Sequence, residues 1–231
     1  IYTNDCEMAI ANGVNIFTVP LANDVVNSIG IVASDGKARP FDEAGSGVGQ
    51  GEGIGAIVLK PLSKALKDSD HIYAVILSSA INQDGKTIGI TAPSMVAQES
   101  VIAQAWEKAK IDPETIKYIE AHGTATKLGD PTEISGINRA FKRYTSKKQF
   151  CGVGSVKSNI GHTIGAAGIA SVIKMAMALE KNLIPPTIHF NKPNQRIQFH
   201  DTAVYVHDRL NHFPSSGVKR CGVSSFGISG T

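Results

Sequence analysis

Cysteine is scarce in this chain: Cys6, Cys151 and Cys221 stand far apart, and no CxxC pair occurs in the 231 residues. That excludes a disulfide framework and a zinc ribbon, and makes a reducing cytoplasm the expected setting. No apolar run reaches the length of a membrane-spanning helix and no signal peptide opens the chain, so membrane insertion is not expected. No run of basic residues is present to follow a nucleic-acid backbone. The formal charge of +3 is mild and suits, at most, a partner with an acidic surface. Aromatics make up only 6%, against 23 glycines, which points to many tight turns and close backbone approaches. An initiator Met is also missing. The chain opens Ile1-Tyr2-Thr3 and stops at Ser229-Gly230-Thr231, so both ends read as cut from something longer.

What is present is an ordinary globular composition, 42% apolar and 19% charged, enough for a sizeable core. No linker, low-complexity stretch or short repeat interrupts it. Ala56–Leu59 and Tyr73–Leu77 read as short buried strands. Apolar positions recur with helical period from Ala97 to Ala109, and Asp112-Pro113 then has the form of an N-cap with Pro at N1. Lys117–Ala121 reads as a strand. Asp130-Pro131-Thr132-Glu133 forms a capping-box sequence opening a helix towards Phe141. Phe150–Val156 reads as a strand, and Gly165–Leu179 as a helix whose small first residues allow close packing. Leu183-Ile184-Pro185-Pro186 ends it in extended chain. The alternation implies right-handed crossovers and a largely parallel sheet covered on both faces, an α/β fold.

In open parallel sheets, ligands bind beyond the carboxyl ends of the strands. Two polar, Gly-punctuated loops lie there: residues 120–131 with His122, and residues 157–163 with His162. Each follows a strand and precedes a helix. If those strands are neighbours, about 5 Å apart, the imidazoles meet over one site. Paired imidazoles backed by Lys157 suit acyl chemistry, in which an oxyanion or enolate is stabilised near neutral pH. The alternative is that each histidine only bonds its own loop. No HxxxH or His-carboxylate cluster supplies a third metal ligand, so no metal is expected. Gly51-Glu52-Gly53-Ile54-Gly55-Ala56 formally fits a dinucleotide fingerprint, but it precedes a strand rather than opening a helix, and tight loop packing is the better account.

EAHGTATKLGDPTE (120–133), KSNIGHTIGAAG (157–168) and GVSSFGISGT (222–231) resemble, in order and spacing, the ketosynthase signatures of modular polyketide synthases. RPFDEAGSGVGQGEGIGAIVLKPL (39–62) and INQDGKTIGITAP (81–93) fit the same pattern, so the resemblance covers essentially the whole chain. It implies a thiolase-like fold: two pseudo-equivalent halves stacked as α-β-α-β-α layers in a homodimer. Residues 1–90 would close the first half, which is incomplete, and residues 91–231 would form the second. The implied reaction is decarboxylative Claisen condensation of an acyl thioester with malonyl-acyl carrier protein. The phosphopantetheine arm of the carrier serves as substrate carrier, with no other cofactor, and neighbouring domains of a multienzyme are the further partners.

By motif position, the resemblance implies that His122 and His162 hold the malonyl thioester carbonyl and stabilise the enolate. Lys157 tunes them, paired with Glu133, for which the capping box is an equal explanation. Thr124 and Thr126 match positions that bind the pantetheine arm, or else bond their own turn. Phe226 would gate the acyl pocket and help place a backbone donor, or else simply pack. The reactive cysteine of the family stands in an Asp-Thr-Ala-Cys-Ser-Ser type segment that none of the three cysteines fits. The chain is therefore expected to begin downstream of the nucleophile and to be inactive alone. Ala125 and Ile164 replace a usual glycine and a common glutamate, changes that bear on loop shape and acyl preference. Two alternatives stay open: a stand-alone fatty-acid 3-oxoacyl-acyl carrier protein synthase of the same chemistry, and a non-elongating ketosynthase serving as gatekeeper or dimer scaffold.

Overall fold

A computed structural model describes residues 1, 5–18, 27–28, 30–89, 92–214 and 216–227. Its first regular element is a ribbon in which β1 (Ala9–Asn15) pairs antiparallel with β2 (Gly53–Leu59), Gly13 opposite Gly55. Side chains alternate across it. Ile10, Val14, Ile54 and Val58 are exposed by 69%, 54%, 73% and 65%. The other face lies against the segment from Gly165 to Ile173, so closely that a Cβ on Gly13 would stand 2.6 Å from the Gly165 carbonyl oxygen.

The short helix α1 (Leu62–Lys67) follows, and then a stretch that corrects the expectation of a strand at Tyr73–Leu77: residues 73–77 form no strand. Strands need a paired edge, and here the chain is tied to a helix by side chains instead. Ser78 donates to the Ala105 carbonyl and Asn82 to the Ala97 carbonyl, both on α2 (Met95–Ala109), which Ser94 caps through the Ala97 N–H. The expected division between residues 90 and 91 falls outside the described residues. Asp112-Pro113 opens only one 3₁₀ turn, with the Asp112 carboxylate accepting the Glu114 N–H.

Next come β3 (Ile116–Glu120), α3 (Gly129–Lys142), β4 (Cys151–Gly154), the one-turn α4 (Lys157–Ile160) and α5 (Ala167–Lys181). β5 (Leu183–Ile184), β6 (Val204–Val206), β7 (Asn211–His212) and β8 (Arg220–Val223) complete the order, β5 and β7 forming a small antiparallel pair. The expected capping box at Asp130 and Glu133 does not form. The helix starts at Gly129, two residues earlier than a cap at Asp130 implies, and Leu128 at its N-cap contributes no side-chain bond. Both carboxylates are turned onto buried N–H groups of the preceding loop and of Phe41, donors that have no other acceptor among the described residues and are costly to leave unpaired.

The central sheet runs β6-β4-β3-β8, every pair parallel. Its two faces bury different side chains. Ile119, Val153 and Val204 face α2 and α3, where Trp106 and Phe141 stack at 4.6 Å. Tyr118 lies on the opposite side with Met175 and Ala178 of α5. The sheet is thus covered on both faces, as the near-continuous apolar strands require. Its carboxyl edge carries the histidine loops.

Candidate active site

His122 follows the end of β3 by two residues. Its own N–H and that of Gly123 donate to the two oxygens of Glu133 at 2.7 and 2.8 Å, so Glu133 fixes the turn in which the imidazole stands. The ring Nδ1 faces the backbone N–H of Phe226 at 3.4 Å, and the Phe226 ring meets His122 edge-on at 5.8 Å.

His162 lies beyond the neighbouring strand β4, after α4. Its loop is stitched to the Gly-rich segment: the His162 N–H donates to Gly49 at 2.6 Å and the Gly51 N–H returns to His162 at 3.2 Å. Gly161 holds φ +73°, and a Cβ there would stand 2.7 Å from the Gln50 carbonyl oxygen. This is the use of the glycines that mimic a nucleotide fingerprint: they let one loop lie on another. The His162 Nδ1 accepts the Ile164 N–H at 3.0 Å.

The two rings come together, centroids 5.4 Å apart and planes at 85°. Each Nδ1 faces a backbone N–H, which can only donate, so each neutral ring carries its proton on Nε2. Burial first, and then the charge of Lys157, drives both histidines towards the neutral form, His122 well below its ordinary range and His162 to about 4. Lys157 is 2% exposed, and its Nζ makes no hydrogen bond among the described residues. Burial lowers its pKa, opposed by the carboxylates of Glu133, Glu120 and Asp130. The site therefore consists of two neutral N–H donors above a buried amine ringed by carboxylates.

The remaining expected residues divide. Thr124 and Thr126 pair hydroxyl to hydroxyl at 3.1 Å, and Thr126 accepts the Gly129 N–H, the local turn bonding weighed against pantetheine contact. Ala125 takes φ 61° and Ile164 φ 40°, both in the left-handed region. Cys151 opens β4, at the opposite end of that strand from the His162 loop, and burial pushes its thiol far up. Burial likewise raises Cys221 to about 12, while Cys6 is exposed.

Two residues escaped the sequence reading. Glu120 is fully buried beneath His122, and Lys174 of α5 reaches it at 2.6 Å. The available signal was a lysine inside the apolar run Ile173-Lys174-Met175 and a carboxylate closing an apolar strand. Among the described residues no group of three or more His, Cys, Asp or Glu could hold a metal, and no helix is long and apolar enough to cross a membrane.

The family model described as beta-ketoacyl synthase, C-terminal domain, matches residues 73–191, and the corresponding N-terminal domain model matches residues 1–65. The chain is 45% identical over 241 residues to polyketide synthase PksM of Bacillus subtilis, covering all of this chain and 6% of that protein. It is 44% identical over 231 residues to the highly reducing polyketide synthase ZEA2 of Gibberella zeae, covering all of this chain and 10% of that one. Among solved structures, the ketosynthase from module 6 of the bacillaene synthase of Bacillus subtilis superposes with a TM-score of 0.96 at 43% identity, covering 99% of this chain and 41% of its own. An oxazolomycin ketosynthase domain of Streptomyces albus gives 0.96 at 35% identity, with 99% and 42% covered. The chain thus spans less than half of the ketosynthase structures it matches, and its fold is theirs, thiolase-like α/β.

Proposed function

The chain belongs to the beta-ketoacyl synthase family, and on that premise we propose that it supplies the decarboxylating side of a polyketide-synthase ketosynthase site. The substrate is malonyl carried as a thioester on the phosphopantetheine arm of an acyl carrier protein. The Nε2–H groups of His122 and His162 hold the thioester carbonyl oxygen. When the bond to the carboxylate breaks, carbon dioxide leaves and the electron pair moves towards that oxygen, forming an enolate on which both donors act. The enolate carbon then attacks an acyl thioester, and the sulfur that carried the acyl group departs as thiolate. Donors already in place where charge develops stabilise the transition state more than the ground state. Burial, and then the charge of Lys157, keep both imidazoles neutral, so that they donate rather than titrate, and the same charge favours the developing enolate.

The observation that carries this reading is the pair of backbone N–H groups on the two Nδ1 atoms, which frees both Nε2–H groups over one space. In the same reading, Glu133 orients the His122 turn, and Phe226 places the donor behind His122 and borders the acyl pocket. Thr124 is left to contact the pantetheine arm, with Thr126 supporting its turn. Residues 1–90 close one thiolase-like half and residues 91–231 form the other, in a cytoplasmic homodimer beside further multienzyme domains. In this reading the acyl-accepting cysteine lies outside this chain: Cys151 opens β4 at the end away from the His162 loop, burial raises the thiols of Cys151 and Cys221, and Cys6 is exposed.

The test uses a complete ketosynthase carrying this chain. His162→Ala is expected to lower labelled carbon dioxide release by about 100- to 1,000-fold while leaving acyl loading, read by intact-protein mass, nearly unchanged. Equal losses in both would make His162 a structural residue. Replacing Cys6, Cys151 and Cys221 with alanine is expected to leave loading in place. Loss of loading in one of them would put the nucleophile within the chain.

A further inference from the structure

We infer that Glu120, with Lys174, is the positioning device of this site, holding in register the strand that leads to His122, the turn that leads to Lys157 and the helix that follows the His162 loop. The inference rests on the decarboxylating reading and adds to it two residues that make no contact with substrate.

One carboxylate joins the strand before His122, the turn before Lys157 and the helix after the His162 loop. Glu120 ends β3, two residues before His122. Its Oε1 accepts the Val156 N–H at 2.5 Å, which pins the turn immediately before Lys157. Its Oε2 takes Lys174 Nζ at 2.6 Å, tying in α5, the helix that follows the His162 loop. Tyr118, two residues back on the same face of β3, completes the cluster: its hydroxyl lies 3.3 Å from Glu120 and 3.2 Å from Lys174, whose amine stands 5.5 Å from the centre of the Tyr118 ring. The Glu120 side chain is 0% exposed and that of Lys174 11%. A pair so enclosed is weak evidence of stabilisation, since a well-packed apolar pair does as well, and its best-attested use is to fix register.

The arrangement also sets charge beneath the histidines. Lys157 feels the charges of Glu133 and Asp130 of α3, Glu120 of β3 and Lys174 of α5, and its own charge acts on the rings of His122 and His162. Glu120 is one of three carboxylates favouring the protonated amine, and Lys174 opposes it. Removing the Glu120 charge leaves Lys157 with two carboxylates and an unbalanced Lys174, so the amine loses its proton at lower pH.

The test compares Glu120→Gln, Lys174→Met and the double variant in a complete ketosynthase, with His162→Ala in parallel. For Glu120→Gln, carbon dioxide release is expected to fall about 10- to 100-fold in kcat, with KM for the malonyl carrier and acyl loading little changed. The alkaline limb of the kcat profile is expected to move to lower pH. The double variant, neutral on both sides, is expected to fold as well as the parent and to bring the limb back towards the parent's, with kcat still lowered because the tie to α5 is lost. Parent-like kcat and limb in Glu120→Gln, or parent-like kcat in the double variant, would overturn the inference and leave a structural pair. If Glu120→Gln alone fails to fold, kcat of the double variant decides on the same criterion. A His162→Ala protein that releases carbon dioxide at the parent rate would instead sink the underlying reading, whatever the Glu120 variants do.

Discussion

The backbone N–H of Ile164 donates to Nδ1 of His162, two residues earlier, at 3.0 Å. Ile164 reaches that position with φ 40°, a value β-branched residues seldom adopt. Strain of this kind persists where surrounding structure enforces it, commonly at functional sites. Its consequence here is electronic: a donor on Nδ1 assigns the ring proton to Nε2.

Nitrogen-15 spectra of histidine-labelled protein should therefore show His122 and His162 neutral at pH 7, protonated on Nε2. His162 is expected to titrate only near pH 4, and His122 well below the ordinary value of 6.5. The native state then refuses protons that the unfolded chain takes up, so this contribution to stability is complete above about pH 6.5 and is lost as pH falls towards 4. An imidazolium signal from either residue at pH 6 would contradict the assignment.

Gly161→Ala should destabilise the protein by about 1–3 kcal/mol and reduce carbon dioxide release, because both the backbone conformation and the close approach to Gln50 are lost. Gly85→Ala is the control: Gly85 has nearly the same φ, +69° against +73°, but nothing within 4 Å of an added Cβ. Urea melts of the two variants separate conformation from contact. Equal losses would show that the loop-on-loop packing does not hold His162.

Much of this arrangement was legible in the sequence. Glycines and histidines after apolar strands marked the two loops, and α2, β3, β4 and α5 fell close to their expected spans. The misreadings share one physical cause, competition for polar partners. Asp130 and Glu133 have the spacing of a helix cap, yet buried loop N–H groups capture both carboxylates. Tyr73–Leu77 has the composition of a strand, but composition does not supply an edge to pair with. Glu120 and Lys174 lie 54 residues apart in sequence, and only the fold brings them together.

The face formed by Ile10, Val14, Ile54 and Val58 should make residues 1–231, expressed alone, self-associate. Replacing the cross-strand pair Ile10 and Val58 with threonine is expected to raise the soluble monomer fraction in gel filtration without disturbing the ribbon. A parent chain that runs as a monomer with a sharp urea transition would contradict this.

The central claim, that two imidazoles donate to one developing enolate, is tested most directly by labelled carbon dioxide release in a double-variant cycle of His122→Ala and His162→Ala in a complete ketosynthase. Each single change is expected to lower release by about 100- to 1,000-fold. The double variant is expected to fall only slightly further, since groups that act as a unit are strongly non-additive. Single losses that multiply in the double variant, or that remain within about twofold of the parent, would contradict a shared oxyanion.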